Sequence, residues 1–390
     1  MADLCPACSA SGLRIFHEQA DLPVHSCLLL ADREEARRFP RGDLRLGFCG
    51  ACGFITNTAF DPSLHSYSTR YEETQGCSPR FQRFAKDLAA QWVERYALRD
   101  KVVVEIGCGK GEFLELVCDV GGNEGIGIDP SYVPGRLDPG RSARITFVQD
   151  FYSEKYGDLA ADAIICRHTL EHIHPVADFM RTLRTSIGDR TDTIVLFELP
   201  DVLRVLRETA FWDVYYEHCS YFSLGSLARL FRATGFEVLD LSLAFDDQYL
   251  LLEARPGESS HEPFAVEDDL GALTEAVDHF QRTFASQTAG WRDELVGAVK
   301  EGRRVVIWGS GSKGVAYLTT LGITDEIEYV VDINPRKQGM FMAGSGHPIV
   351  GPDFLRDYRP DLVVVMNAIY TEEIRDQLAR LGLAPDVVAV

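Results

Sequence analysis

A glycine-rich turn between a strand and a helix constrains the fold of this chain more than any other feature. The apolar run Val102–Ile106 is typical of a buried strand, and Gly107, Gly109 and Gly111 follow it before an amphipathic helical segment. The next expected strand ends on Asp129. Glycines let the backbone approach a ligand closely, and an acid at that position can accept hydrogen bonds from ribose hydroxyls. The pattern predicts a nucleoside site in a parallel α/β sheet; a core strand with a turn of small residues is the alternative.

The residue before the first glycine indicates the charge of the ligand. Glu105 places a carboxylate where a dinucleotide site favours an apolar residue, because an anionic pyrophosphate would lie over the loop. The segment 105–114 resembles motif I of class I S-adenosylmethionine (SAM) methyltransferases, and SAM carries an ammonium and a sulfonium. The resemblance implies a SAM site formed by Glu105, Gly107, Gly109, Gly111 and Asp129.

Size and charge restrict the partners. A length of 390 residues suggests two or three domains, and a net charge of −20 argues against a nucleic-acid partner. The apolar runs are strand-sized, so no membrane association is expected. Residues 1–5 lack the basic and apolar regions of a secretory signal, which predicts a cytoplasmic protein. We expect a small-molecule substrate and a monomer or homodimer.

Two Cys-x-x-Cys pairs predict a metal site near the N-terminus. Cys5, Cys8, Cys49 and Cys52 have the spacing of two zinc knuckles, and four thiolates close a tetrahedral site with no open position. An N-terminal lobe of about 60 residues has little hydrophobic core, so a structural Zn²⁺ would stabilise it. Redox pairs are the alternative. The other six cysteines are interpreted as small apolar residues.

The middle of the chain is typical of a doubly wound α/β unit, with a helix expected at 81–98 and strands at 102–106, 125–129, 145–148, 163–166 and 193–198. Asp150 ends the third strand, where it could hold the adenine amino group of the cofactor or cap a helix. His168 and His172 follow the fourth strand, in a segment that resembles the Leu-Glu-His motif of methyltransferases. We assign His168 to the cofactor site and His172 to the substrate site; a purely structural role for His172 is the alternative.

A second histidine segment lies at 211–223 and combines six aromatic residues with a Glu-His pair. It contains Tyr215, Glu217, His218 and Tyr221. An apolar wall with one histidine, one carboxylate and several phenols is how a proton-transfer site is built. An ordinary aromatic core is the alternative.

The order of these parts resembles the deoxysugar C-methyltransferases, which act on keto groups of nucleotide-linked sugars. The resemblance covers nearly the whole chain and implies three parts: a zinc-binding lobe at 1–70, a class I (Rossmann-like) methyltransferase domain at 71–258, and a helical linker with a second Rossmann-like α/β domain at 259–390. It also implies that Tyr215, Glu217 and His218 line the substrate site. A tyrosine of the first lobe, Tyr67 or Tyr71, would reach the same substrate.

The C-terminal part contains a second glycine loop. A charged helical stretch at 263–303 precedes a strand, the loop 309–314 and a further strand that ends on Asp332. Alone, this is a dinucleotide fingerprint, which favours an NAD-binding oxidoreductase or a nucleotide-binding module. Under the resemblance the loop faces the sugar nucleotide, and the substrate residues would be Ser310, Lys313, Asp332 and Lys337.

The leading hypothesis is SAM-dependent methylation of a small molecule at a carbon beside a ketone. Tyr215 or His218 would remove the α-proton, and Glu217 would orient or polarise that base. An O-methyltransferase would use the same SAM loop, so sequence does not separate these two reactions. The oxidoreductase alternative leaves Glu105 unexplained.

Overall fold

The computed structural model describes residues 4–64, 67–137, 140 and 142–390. Residues 1–3, which belong to the segment without a visible secretory signal, lie outside this part. The described chain forms three β-sheets of four, seven and five strands. Across the described ranges, no helix is long and apolar enough to cross a membrane.

The first sheet is antiparallel and carries the cysteine loops. Its strands are β1 (Arg14–Pro23), β2 (Arg41–Phe48) and β3 (Ile55–Asn57), with the short helix α1 (Arg33–Arg37) between the first two. One Cys-x-x-Cys pair precedes β1, and the other lies in the turn from β2 to β3.

The second sheet is mostly parallel and has the expected doubly wound character. In chain order its region contains α2 (Pro79–Arg95), β4 (Val102–Ile106), α3 (Glu112–Gly121), β5 (Glu124–Ile128), β6 (Ile145–Val148), β7 (Ala163–Arg167), α4 (Val176–Ile187), β8 (Ile194–Pro200), α5 (Val202–Glu208), β9 (Ser220–Tyr221), α6 (Leu224–Ala233), β10 (Phe236–Ala244) and β11 (Tyr249–Pro256). The strand order is β10-β11-β8-β7-β4-β5-β6, with β10 and β11 antiparallel. The chain reverses its direction of winding between β4 and β7, where open α/β sheets bind ligands.

Strand β9 joins the first sheet rather than the second. Ile55 of β3 pairs with Tyr221 of β9. The segment with the Glu-His pair immediately precedes β9, so the N-terminal sheet fixes its position. This pairing links residues more than 160 positions apart and was not predicted.

The third sheet is entirely parallel, in the order β14-β13-β12-β15-β16. Its region contains α7 (Leu270–Lys300), β12 (Val305–Trp308), α8 (Ser312–Leu321), β13 (Tyr329–Val331), β14 (Ile349–Val350), α9 (Leu355–Tyr358), β15 (Leu362–Val365), α10 (Thr371–Arg380) and β16 (Asp386–Ala389). The predicted α/β fold class is thereby confirmed.

Two predicted helix bounds were wrong for local reasons. The helix expected at 81–98 starts at Pro79, because the Ser78 side chain accepts a hydrogen bond from the backbone of Phe81 and proline is tolerated in the first turn. It ends at Arg95, shortly before Ala97 adopts a positive φ of 49°. The stretch expected at 263–303 is helical only from Leu270 to Lys300, because 265–267 form a separate short turn.

Candidate active site

One cavity of about 890 Å³ extends from the glycine loop after β4 to the glycine loop after β12. Within each of these two sheets the parallel strands present their carboxyl ends to one edge, and the loops at both edges line the same cavity. Side chains of the first lobe, including Tyr67 and Tyr71, also line the cavity. A cofactor and a second molecule therefore have room in the same enclosure.

Packing requires glycine in the first loop. Gly107 has a φ of 71°, and a Cβ placed there would lie 1.9 Å from the Thr169 hydroxyl oxygen. Asp129 holds the loop in place: its carboxylate accepts from the Gly109 amide at 2.8 Å and from the Ser131 amide at 2.6 Å. The acid predicted to meet ribose thus also organises the loop.

Glu105 is a buried carboxylate placed for a cation. Its Oε2 has no hydrogen-bond partner in the described part of the chain, and the side chain lines the cavity. Burial, only partly opposed by Arg167, raises the pKa of Glu105 to about 7. An unsatisfied buried carboxylate is costly, and a cationic ligand would offset that cost. The glycine loop and the Glu105 carboxylate therefore fit SAM, which is a cationic ligand.

His168 lies in the cavity wall but is engaged by a neighbouring acid. Its Nε2 lies 2.8 Å from Oε1 of Glu198, and Arg167 donates to the same carboxylate at 2.7 and 3.1 Å. Burial opposes ionisation of Glu198, but Arg167 and His168 outweigh it and lower its pKa to about 2. The ionised carboxylate thus holds the Arg167 guanidinium and the His168 ring beside the SAM loop.

Asp150, the predicted adenine contact, lies at the cavity edge after β6. Its carboxylate accepts from the Tyr156 hydroxyl at 2.5 Å and pairs with Lys155. The next residue, Phe151, is 61% exposed and also lines the cavity. The structure thus allows either the adenine or the structural role of Asp150.

Across the cavity, Tyr215 and His218 form a pair. The Tyr215 hydroxyl lies 3.0 Å from Nε2 of His218, and the His172 ring lies 4.8 Å from the His218 ring. Tyr67 contacts His172, with ring centroids 6.0 Å apart, whereas Tyr71 contacts Tyr67. Of the two candidate tyrosines, Tyr67 is therefore the one in contact with this histidine pair.

Burial determines the protonation of this pair. It lowers the pKa of His218 well below its ordinary value, with a further lowering from His172, and raises the pKa of Tyr215 well above its own. At neutral pH the imidazole is therefore neutral and the phenol protonated. The imidazole is therefore the unprotonated partner that can accept a proton, and its protonated form needs a nearby negative charge to offset burial.

The described contacts of Glu217 join it to the first lobe. Its carboxylate accepts from the backbone amide of Ser26 and lies 3.4 Å from Nδ1 of His25. Its backbone carbonyl instead accepts from Nδ1 of His172 at 3.0 Å. Glu217 thus acts at short range on the first lobe and on His172, because β9 pairs with that lobe and turns the carboxylate toward it.

The second glycine loop is fixed by its own acid. Asp332 accepts from the Ser310 amide at 3.0 Å and from the Ser310 hydroxyl at 2.5 Å. Lys313 donates to Asp213 at 2.8 Å, so this predicted phosphate ligand already has a partner. Lys337 is 7% exposed and lines the cavity, and a Cβ placed at Gly311 would lie 4.0 Å from its Nζ. Of the two lysines, Lys337 is therefore the one directed at the loop.

Four residues predicted for the cofactor or substrate site lie behind the cavity wall rather than on its described lining: Gly111, Glu217, Tyr221 and Ser310. Tyr221 donates to the backbone carbonyl of Tyr215 at 3.3 Å. Ser310 and Tyr221 thus support residues that do line the cavity.

The four N-terminal cysteines come together as predicted. The sulfurs of Cys5 and Cys52 lie 3.7 Å apart, as do those of Cys8 and Cys49, and all four lie within 4.8 Å of one another. A tetrahedral zinc site with Zn–S distances of about 2.3 Å has sulfurs about 3.8 Å apart. The cluster therefore fits a Zn²⁺ ion with all four positions taken by protein.

Sequence reasoning missed several cavity residues whose roles depend on distant partners. Glu72 accepts from Arg136 at 2.8 Å and from Asn334 at 3.0 Å, which joins loops of all three sheets. Glu73 lines the cavity beside Lys110, at 3.5 Å. The sequence signal that could have revealed them is the pair of consecutive acids at 72–73, in a segment without the hydrophobic periodicity of a helix or strand.

Comparisons with known proteins agree with this geometry. A family described as methyltransferase domain matches residues 81–241, and one described as C-methyltransferase C-terminal domain matches residues 254–384. C-methyltransferase NovU of Streptomyces niveus is 28% identical over 366 residues, which cover 89% of this chain and 86% of that protein. The chain is a SAM-dependent methyltransferase. The prediction of a SAM-dependent enzyme is confirmed, and the second glycine loop lies in the part matched by the C-methyltransferase C-terminal domain.

Among solved structures, similarity is partial. 1,6-Didemethyltoxoflavin-N1-methyltransferase of Burkholderia thailandensis is 18% identical, with a TM-score of 0.37, over 46% of this chain and 82% of that chain. Magnesium protoporphyrin IX methyltransferase of Synechocystis PCC 6803 is 16% identical, with a TM-score of 0.36, over 45% and 84% of the two chains.

Proposed function

We propose that this methyltransferase transfers the SAM methyl group to the carbon beside the ketone of a nucleotide-linked deoxysugar. The observation that carries the proposal is the Tyr215–His218 pair, which lies in the same cavity as the SAM loop and has the protonation that a base requires. SAM supplies the activated methyl group. The protein positions the two reactants and removes one proton from the substrate.

The reaction begins with proton removal. The Tyr215–His218 pair takes the proton from the carbon next to the ketone, and that proton comes to rest on the imidazole of His218. The C–H electron pair moves into an enolate. The enolate carbon then forms a bond to the methyl carbon while the S–CH₃ bond breaks, which leaves S-adenosylhomocysteine. His218 later releases its proton to water, so the net products are the methylated ketone, S-adenosylhomocysteine and a proton.

The neighbours of the pair support this role. Tyr215 is protonated, so it holds the His218 ring by a hydrogen bond and can pass a proton to it without a stable phenolate. The negative charge of Glu217 favours the protonated form of His218, against the stronger effects of burial and His172. Tyr67 and His172 complete the wall around the reacting carbon.

The far end of the cavity suits a nucleoside diphosphate. Lys337 and the backbone of loop 309–314 provide positive charge for phosphate. Two phenols, Tyr249 and Tyr370, share the Gln75 amide at 3.2 and 3.1 Å, which provides ring faces and amide groups for a base. These features support the nucleotide-linked form of the substrate.

We also propose that Cys5, Cys8, Cys49 and Cys52 hold a structural Zn²⁺. The ion would join the loop before β1 to the turn between β2 and β3, which lie at the same end of the first sheet because Arg14 pairs with Phe48. Because all four positions are thiolates, the site offers no open position for catalysis.

Deuterium exchange tests the proposed reaction. The enzyme is incubated in D₂O with a nucleoside-diphosphate-linked keto-deoxysugar and S-adenosylhomocysteine, and we expect deuterium at the carbon beside the ketone. With SAM instead, NMR should show a new carbon-bound methyl group. A methyl group bound to oxygen, or methyl transfer without any exchange of that proton, would contradict the proposal.

A further inference from the structure

A cluster of three metal-ligating side chains lines the cavity and shares His218 with the proposed proton-transfer pair. Glu171, His172 and His218 each place one ligand atom within 4.8 Å of those of the other two. Glu171 and His172 belong to the loop after β7, and His218 to the loop before β9. Two imidazoles and a carboxylate are ligands that first-row divalent metals accept.

Glu171 has an oxygen that the described protein does not satisfy. Its side chain is 4% exposed, and Oε1 lies 3.8 Å from Nδ1 of His168. Oε2 has no hydrogen-bond partner among the described residues. Burial raises the pKa of Glu171 to about 8, and the nearby charge of Glu198 adds to this effect. A cation bound at Oε2 would offset the cost of burying this oxygen.

His172 has the orientation of a metal-binding histidine. Its Nδ1 lies 3.0 Å from the backbone carbonyl of Glu217, so Nδ1 carries the hydrogen and the neutral ring has its lone pair on Nε2. Metal-bound histidines usually donate their second N–H to a carbonyl or carboxylate in this way. The tautomer that a metal ligand needs is therefore fixed by the backbone.

We propose that Glu171, His172 and His218 bind one divalent transition metal, such as Zn²⁺ or Co²⁺, and that this metal inhibits methyl transfer. A tetrahedral site with metal–ligand distances of about 2.0–2.2 Å has ligand atoms about 3.3–3.6 Å apart, so binding would draw the three side chains together by at most about 1.5 Å. The metal takes the lone pair of His218 that proton removal requires. The inhibition rests on the proposed function, whereas the binding does not.

Cobalt spectroscopy tests the binding. Co²⁺ is titrated into the purified full chain after its cysteine cluster has been saturated with Zn²⁺. We expect visible d–d bands of a nitrogen- and oxygen-ligated ion without a sulfur-to-cobalt charge-transfer band. E171Q and H172Q should each weaken Co²⁺ binding by at least about 10-fold, since even changes outside the ligand set cost about 10- to 100-fold.

A matched histidine provides the control. His174 is exposed, lies two residues from His172 and is outside the cluster, so H174Q should bind Co²⁺ as the wild type does. Circular dichroism and SAM affinity verify that E171Q and H172Q are folded. Equal Co²⁺ affinity in the wild type, E171Q and H172Q would overturn the proposed site.

The activity is followed in the same titration. Methyl transfer should fall in proportion to Co²⁺ bound and recover when dipicolinate removes the metal. Undiminished or faster methyl transfer at saturating Co²⁺ would overturn the inhibitory role. A chain that is inactive on the test substrate counts against the proposed function, and the cobalt spectrum then decides the site without it.

Discussion

The Tyr215 hydroxyl lies 3.0 Å from Nε2 of His218 in the wall of the cavity, where burial shifts the pKa of both groups. The two residues are separated by two positions in the chain, so the contact is local. Its chemistry is not local, because burial makes the imidazole neutral and the phenol protonated, and His172 of a different loop further lowers the pKa of His218. This pairing suits a site that removes a proton from carbon at neutral pH.

Removal of either partner should slow the chemical step. H218N and Y215F should lower kcat by roughly 10²–10⁴-fold, because general-base catalysis typically contributes that much. SAM affinity, measured by calorimetry, should not change, since the SAM loop lies across the cavity. Y221F is the matched control: Tyr221 packs on His218 but does not line the described cavity, so its kcat should stay within a few-fold of the wild type. Wild-type turnover in both single variants and in the double variant would place the base elsewhere, with His172 as the next candidate.

The binding of SAM should depend on pH through Glu105. Burial raises the pKa of this group to about 7 in the free protein, so it is mostly protonated at about pH 6 and mostly ionised at about pH 8. A cationic ligand prefers the ionised form, and SAM affinity should therefore rise by about 10-fold between these pH values. Calorimetry at both pH values measures the change. E105Q should bind SAM more weakly and lose most of the pH dependence; a full pH dependence in E105Q would assign it to another group, such as Glu73.

The sequence predicted the parts of the site that depend on short spacing. The glycine loop and Asp129 follow consecutive strands, and Tyr215 and His218 lie within four residues of each other. The sequence alone therefore reveals both patterns. The orientation of Glu217 was not visible, because it depends on the pairing of β9 with β3 and on contacts with Ser26 about 190 positions away. The pairing of Arg167 with Glu198, and the direction of Lys337 toward Gly311, likewise require the packing of whole sheets. The partner of Lys313 was missed for the same reason, since Asp213 belongs to a different lobe.

The cysteine cluster should hold one zinc ion per chain. Elemental analysis of the purified protein should give about one equivalent, and C49S should lose most of it, because Cys49 is buried and its loop closes the cluster. Removal of the metal should lower the melting temperature, since binding of a structural ion contributes directly to folding. C27S is the control, because Cys27 is a buried cysteine outside the cluster. A metal-free protein with an unchanged melting temperature would contradict the structural role.

Lys337 should act on substrate binding and not on the chemical step. It is a nearly buried cation that lines the cavity beside Gly311 of the second glycine loop. If it meets phosphate, K337Q should raise KM for a nucleotide-linked substrate by about 10- to 150-fold, which corresponds to the loss of a hydrogen bond to a charged group at about 1.5–3 kcal/mol. The kcat value and the SAM affinity should stay near those of the wild type, because neither depends on the nucleotide end. K300Q, which changes an exposed lysine at the end of α7, is the control for net charge. A fall in kcat without a change in KM would show that Lys337 acts on the reacting groups instead, and an unchanged KM and kcat would remove it from the substrate site.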